Sequence, residues 1–391
     1  MDIRYHEFDG EHRFLSPDQL FPPRKFIQFI LQYGEQALEA LPSADEQTQQ
    51  LIEQMIQAGL LERGENGELR LTPRMVKGIE HRAFLEIFRE LRAGHRGEHA
   101  SLSAGRSRER LEGVKPYTFG DPLSELAIME TMRNAIQRSA KEGRGPGDLL
   151  PLRLRDDDLS LYHSEATTES AIAILIDLSG SMSRYGRYIQ AKRIALGMKA
   201  LVERRFPMDR LHFIGFASHA EVIPENDLPL TMPKPITVRD WEVRMRAPLD
   251  QADELPPHFT NLQHALLLAR SILAREGAPN KQIFIITDGQ PTAHIEKSAA
   301  EVDMLYLIYP PSEQTWEITL AEAHRCSQRD IRISTFALIE DYYYMEWVGF
   351  VEQLTRLTRG VAYYCTAGDL AGAIMESYLA GKRKKTTIGA R

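Results

Sequence analysis

The stretch Ala173–Gly186, AILIDLSGSMSRYG, runs from an apolar segment into a carboxylate and two alternating hydroxyls. Together with Ile172, its first residues form an unbroken apolar run. A run of that kind, without polar alternation, marks a strand buried on both faces. Asp177, Ser179 and Ser181 stand where the chain leaves that strand. Gly180 between the serines gives the exit loop freedom to turn and to aim the three side chains at one point.

The same rhythm continues from Glu169 to about Ala380. AIAILI, RLHFIGF, QIFIIT, IRISTFAL and VAYYCT are short apolar runs separated by segments of helical spacing. Ile194, Met198, Leu201 and Val202 share one helical face. Leu262, Ala265, Leu266, Ala269, Ile272 and Leu273 share a second, and Trp347, Val348, Val351 and Leu354 a third. Buried strands alternating with amphipathic helices predict an α/β fold, a Rossmann-like, doubly wound and mostly parallel sheet. Ligands of such sheets bind beyond the carboxyl ends of the strands.

Two more oxygen donors fall at that edge. Asp288 follows QIFIIT in TDGQPT, and Thr260, in HFTNLQHAL, precedes a long helix. Two carboxylates and three hydroxyls, with neither nitrogen nor sulfur among them, suit a hard cation such as Mg²⁺. Two formal negative charges against a divalent ion leave a nearly neutral site. An open coordination position there suits a carboxylate from another molecule, which is the logic of docking more than of hydrolysis. Each residue taken alone has a plainer explanation, since Ser and Asp cap helices and Asp288-Gly289 makes an ordinary turn. Capping does not account for all five together. His258, His264 and His294 lie nearby without zinc-site spacing and are expected to be rim or capping residues.

DLSGSM, then FTN opening a helix, then TDGQPT after a strand, resemble the von Willebrand factor type A domain with a complete metal-ion-dependent adhesion site. The resemblance implies that Asp177, Ser179, Ser181, Thr260 and Asp288 hold the metal, directly or through water. Mg²⁺ is the expected ion, with Mn²⁺ or Ca²⁺ as alternatives. Upstream, LTPRMVKGIEHRAFLEIF and KPYTFGDP, together with ITDGQPTAH, resemble the cytoplasmic bacterial branch of these proteins. That branch is linked with MoxR-type AAA+ ATPases, in the manner of the magnesium-chelatase subunits. The resemblance therefore implies an adaptor between such an ATPase and its client protein, in protein or metal-centre maturation.

The rest of the chain is read from its residues. Segment 1–92 is expected to be mainly helical, with a β-excursion around Asn66-Gly67. Helix, hairpin and helix could form a winged helix, but Glu62, Glu65 and Glu68 beside its arginines favour a structural role over DNA binding. Segment 93–168 reads as a linker and connecting segment, rich in Gly, Ser and Arg at its start. Segment 169–380 is the α/β domain, and 381–391 a basic tail. An insertion between Ala220 and Pro257, containing Trp241, is expected to rim the metal and to set specificity. Tyr342–Tyr344 read as packing residues.

The 391 residues carry a formal net charge of −7, so nothing global calls for nucleic acid or anionic lipid. Cys326 and Cys365 lack metal-ligand spacing and are expected to be buried and reduced. The first residues lack a secretory pattern, and no apolar run approaches the roughly 20 residues of a membrane span. A cytoplasmic protein is expected. The enzyme alternative is a metal-dependent hydrolase using the same oxygen cluster. Against it, Ser179 stands where an aspartyl phosphatase would want a second carboxylate, and neither G-x-S-x-G nor a P-loop occurs. The expectation is a non-catalytic binding protein.

Overall fold

The computed structural model describes residues 24–43, 46–64, 67–94, 110–118, 126–142, 154–164, 169–298, 301–338, 345–366 and 368–382. The described residues begin with three helices, α1 (Arg24–Tyr33), α2 (Glu35–Ala40) and α3 (Glu46–Gln57). A hairpin of β1 (Leu61–Arg63) and β2 (Leu69–Leu71) follows, then α4 (Pro73–Gly94). Gly67 in the hairpin turn has φ +79, a value L-residues rarely adopt. Pro73 opens α4 at the position where a missing N–H costs nothing. The β-excursion expected around Asn66-Gly67 is this hairpin, although Asn66 itself lies outside the described residues.

Next come β3 (Arg110–Pro116), α5 (Ile128–Lys141) and β4 (Ser160–Ser164). β3 and β4 pair antiparallel, and Arg138 of α5 grips Asp158 with two hydrogen bonds, at 2.8 and 2.7 Å. The described residues within 98–168, together with 380–382, form a compact unit of their own. The basic tail from 383 onward and Tyr342–Tyr344 lie outside the described residues.

The α/β region supplies β5 (Ser170–Asp177), α6 (Arg187–Arg205), β6 (Arg210–Phe216), β7 (Ala220–Ile223) and β8 (Val243–Pro248). It continues with α7 (Leu262–Arg275), β9 (Asn280–Thr287), β10 (Ala293–Lys297), β11 (Asp303–Tyr309) and α8 (Glu313–Ser327). It ends with β12 (Ile331–Leu338), α9 (Met345–Thr358), β13 (Val361–Cys365) and α10 (Leu370–Lys382). Six strands form one sheet in the order β13–β12–β9–β5–β6–β7. All neighbours are parallel except the edge strand β7, which runs antiparallel to β6. All five apolar runs of the sequence are strands of this sheet, and the doubly wound α/β fold is what the structure has.

β5 shows why its sequence is apolar throughout. Ile172, Ile174 and Ile176 enter one core with α6 and α10, while Ala171, Ala173 and Leu175 enter the other with α7, α8 and α9. Alternate side chains of a strand point to opposite faces, so helices on both faces leave no polar position. The first of these cores also takes in Ile30, Met75, Ile79 and Ile87 from the N-terminal helices. The described residues within 1–97 and 169–379 are accordingly one compact unit.

Polar contacts join the same parts. The Lys192 ammonium on α6 donates to the carbonyls of Leu31 and Pro229 at 2.9 and 3.0 Å, and burial pulls it down to about 7. Lys199 pairs with Glu80 of α4 at 2.8 Å, both side chains nearly inaccessible.

A second sheet, β10–β11–β8, is antiparallel and closes over a small core of Val243, Phe259, Ala293, Leu305 and Leu307. Its strand β8 belongs to the insertion. Cys326 and Cys365 are free and buried, and burial pushes both thiols up to about 12.

Candidate metal centre

β5 and β9 lie side by side and parallel, so their carboxyl ends deliver Asp177 and Asp288 to the same edge. After Asp177 the chain enters a short 3₁₀ segment, Gly180–Gly186, that leads into α6. Ser179 and Ser181 are held on this turn. The Asp177 carboxylate accepts from the Ser179 backbone N–H at 2.7 Å through Oδ1, and from the Thr287 hydroxyl through Oδ2 at 2.5 Å. The Ser179 and Ser181 Oγ atoms are 3.1 Å apart, and the Ser181 hydroxyl donates to Asp288 Oδ1 at 2.7 Å. Four of the five residues singled out by sequence thus form one chain of hydrogen bonds across more than a hundred positions.

Among the described residues, Thr260 is outside that chain. Its backbone is fixed instead: its N–H donates to Thr292 Oγ1 at 2.8 Å, and its carbonyl accepts from Thr292 and Ala293. Two residues earlier, the His258 carbonyl accepts from the Gly180 N–H at 3.1 Å, which ties the Thr260 segment to the serine loop. Asn261 caps α7, its side chain accepting from the His264 N–H.

The donor chemistry fits a hard divalent cation. Asp177 is wholly buried, and burial first, then the nearby Asp288 charge, pushes its carboxyl well above the usual carboxylate range. Two carboxylates brought together in a site of low polarity repel, and a bound cation relieves that repulsion. No group of three or more His, Cys, Asp or Glu side chains with metal-binding arrangement occurs among the described residues, so a cation here would rely on hydroxyls beside the two carboxylates.

Two residues at the site escaped the sequence reading. Thr287, the last residue of β9, orients Asp177; it was visible in TDGQPT but looked like a strand residue. Arg187, the first residue of α6, ion-pairs with Asp288 Oδ2 at 2.7 Å. No local pattern announces such a partner.

The rim is built by the insertion. Ile236 packs directly on Gly180, where a Cβ would collide with its side chain, and the Lys234 N–H donates to the Leu178 carbonyl at 2.8 Å. The Thr237 N–H meets His258 Nδ1 at 3.4 Å, which makes His258 a rim residue as expected. His264 caps the start of β7 by accepting from the Ala220 N–H at 3.0 Å. His294 departs from expectation: it is fully buried, stacked on Tyr306 and joined to the Thr315 hydroxyl at 3.0 Å. It is a core residue because β10 turns it inward under α8. Trp241 is almost fully exposed.

Comparisons with known proteins bear on the same region. A family described as Rv0959-like protein, vWA domain, matches residues 170–379, and one described as Rv0959-like protein, third domain, matches residues 109–164. The uncharacterized protein Rv0959 of Mycobacterium tuberculosis is 27% identical over 353 residues, 90% of this chain and 47% of that protein. The uncharacterized protein Mb0984 of Mycobacterium bovis gives the same figures. The chain spans about half the length of the curated relatives it matches. Among solved structures, the vWF domain of the type V pili tip protein Mfa5 from Porphyromonas gingivalis has a TM-score of 0.38 and 13% identity. That similarity covers 57% of this chain and 99% of that one. The PilB minor pilin from Streptococcus sanguinis has a TM-score of 0.40 and 13% identity, over 59% and 67%.

Proposed function

The chain belongs to the Rv0959-like family of proteins with a von Willebrand factor A domain, and from that premise we propose a metal-dependent, non-catalytic protein-binding role for it. In this reading Asp177, Ser179, Ser181, Thr260 and Asp288 hold Mg²⁺. The metal supplies an open coordination position for a carboxylate of a partner protein. The observation that carries the reading is the convergence of Asp177, Ser179, Ser181 and Asp288 into one hydrogen-bonded cluster of oxygens at the carboxyl edge of the sheet.

The chain's own groups prepare that site. Thr287 and the Ser179 N–H fix the orientation of Asp177, and Ser181 with Arg187 does the same for Asp288. Oriented carboxylates need little rearrangement on binding a cation, so less of the binding energy is lost to ordering. The insertion loop over Gly180 limits which partner surfaces reach the edge.

The proposed partner is an AAA+ ATPase of the MoxR type, or its client protein, and the proposed place of action is the cytoplasm. The upstream resemblance supports the partner. No helix among the described residues is long and apolar enough to cross a membrane. Purified chain and a MoxR-type ATPase should co-elute on gel filtration with Mg²⁺ present and separate in EDTA. Co-elution that is equal in Mg²⁺ and in EDTA contradicts a metal-bridged contact.

A further inference from the structure

Counting the five sequence-derived donors alone gives a site that a divalent cation neutralises. The structure adds a third charged group. Arg187 Nη1 donates to Asp288 Oδ2 at 2.7 Å, and the two side chains are 9% and 0% exposed. The opposite oxygen, Oδ1, is taken by the Ser181 hydroxyl. The guanidinium also lies over the Tyr185 ring, with Arg187 Cζ 5.1 Å from the ring centroid. That ring is two-thirds exposed, so the pair sits at the boundary between the buried carboxylate and solvent. A guanidinium is charged at every pH a protein survives.

Asp177 and Asp288 contribute two negative charges and Arg187 one positive, so the residues carry net −1. A divalent cation then leaves the site at +1 instead of zero. Charges this poorly exposed are weakly screened. We propose that Arg187 makes the metal-loaded site anion-seeking, weakening its hold on the cation while strengthening its capture of a partner carboxylate. The inference rests on the metal-docking reading above and names the residue that sets its selectivity for an acidic segment of a partner. The two effects have opposite signs. A residue that only kept Asp288 in place would shift both affinities the same way when removed.

The test uses the full chain at low salt. Mg²⁺ binding is measured by titration calorimetry, and acetate, as the carboxylate probe, is followed by saturation-transfer NMR on Mg²⁺-saturated protein. Arg187→Gln is expected to bind Mg²⁺ about tenfold more tightly and acetate about tenfold more weakly, the scale of one unit charge acting across a partly solvated site. Arg187→Lys keeps the charge and is expected to retain both affinities within about threefold. Weaker Mg²⁺ binding by Arg187→Gln, or no change in either affinity, overturns the inference while leaving the metal site standing. Should Arg187→Gln not fold, loss of either affinity in Arg187→Lys overturns it equally. Failure of the unsubstituted chain to bind Mg²⁺ at all defeats the metal reading itself, and this inference with it.

Discussion

At the scale of single residues, the gathering of Asp177, Ser179, Ser181 and Asp288 at one edge was legible because both carboxylates stand at the end of an apolar run. Asp177 and Asp288 end adjacent parallel strands, and the D-x-S-x-S spacing places two hydroxyls on the turn that follows. Arg187 was not legible. An arginine at the start of a helix has no distinguishing neighbour, and its partner lies 101 positions away. His264 shows what burial does to a group the sequence could place only loosely. Burial first, then the His219 charge, pulls it down to about 4, and only Asp303 opposes. The unfolded chain keeps an ordinary histidine near 6.5 and so binds the extra proton between those values. The stability at stake is fully present above pH 6.5 and is lost as pH falls through 4, at most about 3 kcal/mol. Asparagine offers an oxygen in place of Nδ1 for the Ala220 N–H. His264→Asn should therefore flatten the acid limb of urea-denaturation stability between pH 6.5 and 4, and an unchanged acid limb contradicts this.

Among elements, the parallel strands were plain because helices cover both faces and exclude polar residues. The small antiparallel sheet was hidden for the opposite reason. β8 reads VRMRAP and buries only its first side chain, so it has neither an apolar run nor clean alternation. The insertion that carries it does more than rim the site. Gly34, between α1 and α2, has φ 55 and ψ −130, a region essentially confined to glycine. A Cβ there would overlap the Leu230 carbonyl oxygen and the Met232 side chain of the insertion. No rotamer relieves a clash with backbone. Gly34→Ala should cost about 2–4 kcal/mol by denaturant unfolding; a loss below about 0.5 kcal/mol, the range of an ordinary surface change, contradicts the close approach.

For the whole molecule, the sequence suggested a helical region ahead of an α/β domain, and the structure places both around one core. Length and composition cannot reveal such fusion, because an apolar helical face reads the same whether its partner is near or far in sequence. The buried pair of Glu80 and Lys199 spans the junction, and Glu225 of the insertion reaches the same ammonium at 2.8 Å. Removing the cation leaves Glu80 buried and unpaired, the costly way to break such a pair. Lys199→Met should lower global stability by about 3 kcal/mol, with the N-terminal helices and the sheet still unfolding in one transition. Separate transitions for the two parts contradict a shared core.

The central claim is that the oxygens gathered at the ends of β5 and β9 hold a divalent cation. Asp177→Asn tests it most directly, because the amide keeps an oxygen to accept the Ser179 N–H and removes one charge. Titration calorimetry with Mg²⁺ should show one site per chain in the unsubstituted protein. In Asp177→Asn that affinity should fall by about a hundredfold or more, with the circular dichroism spectrum unchanged. Equal Mg²⁺ affinity in the two proteins, or none in either, contradicts the account.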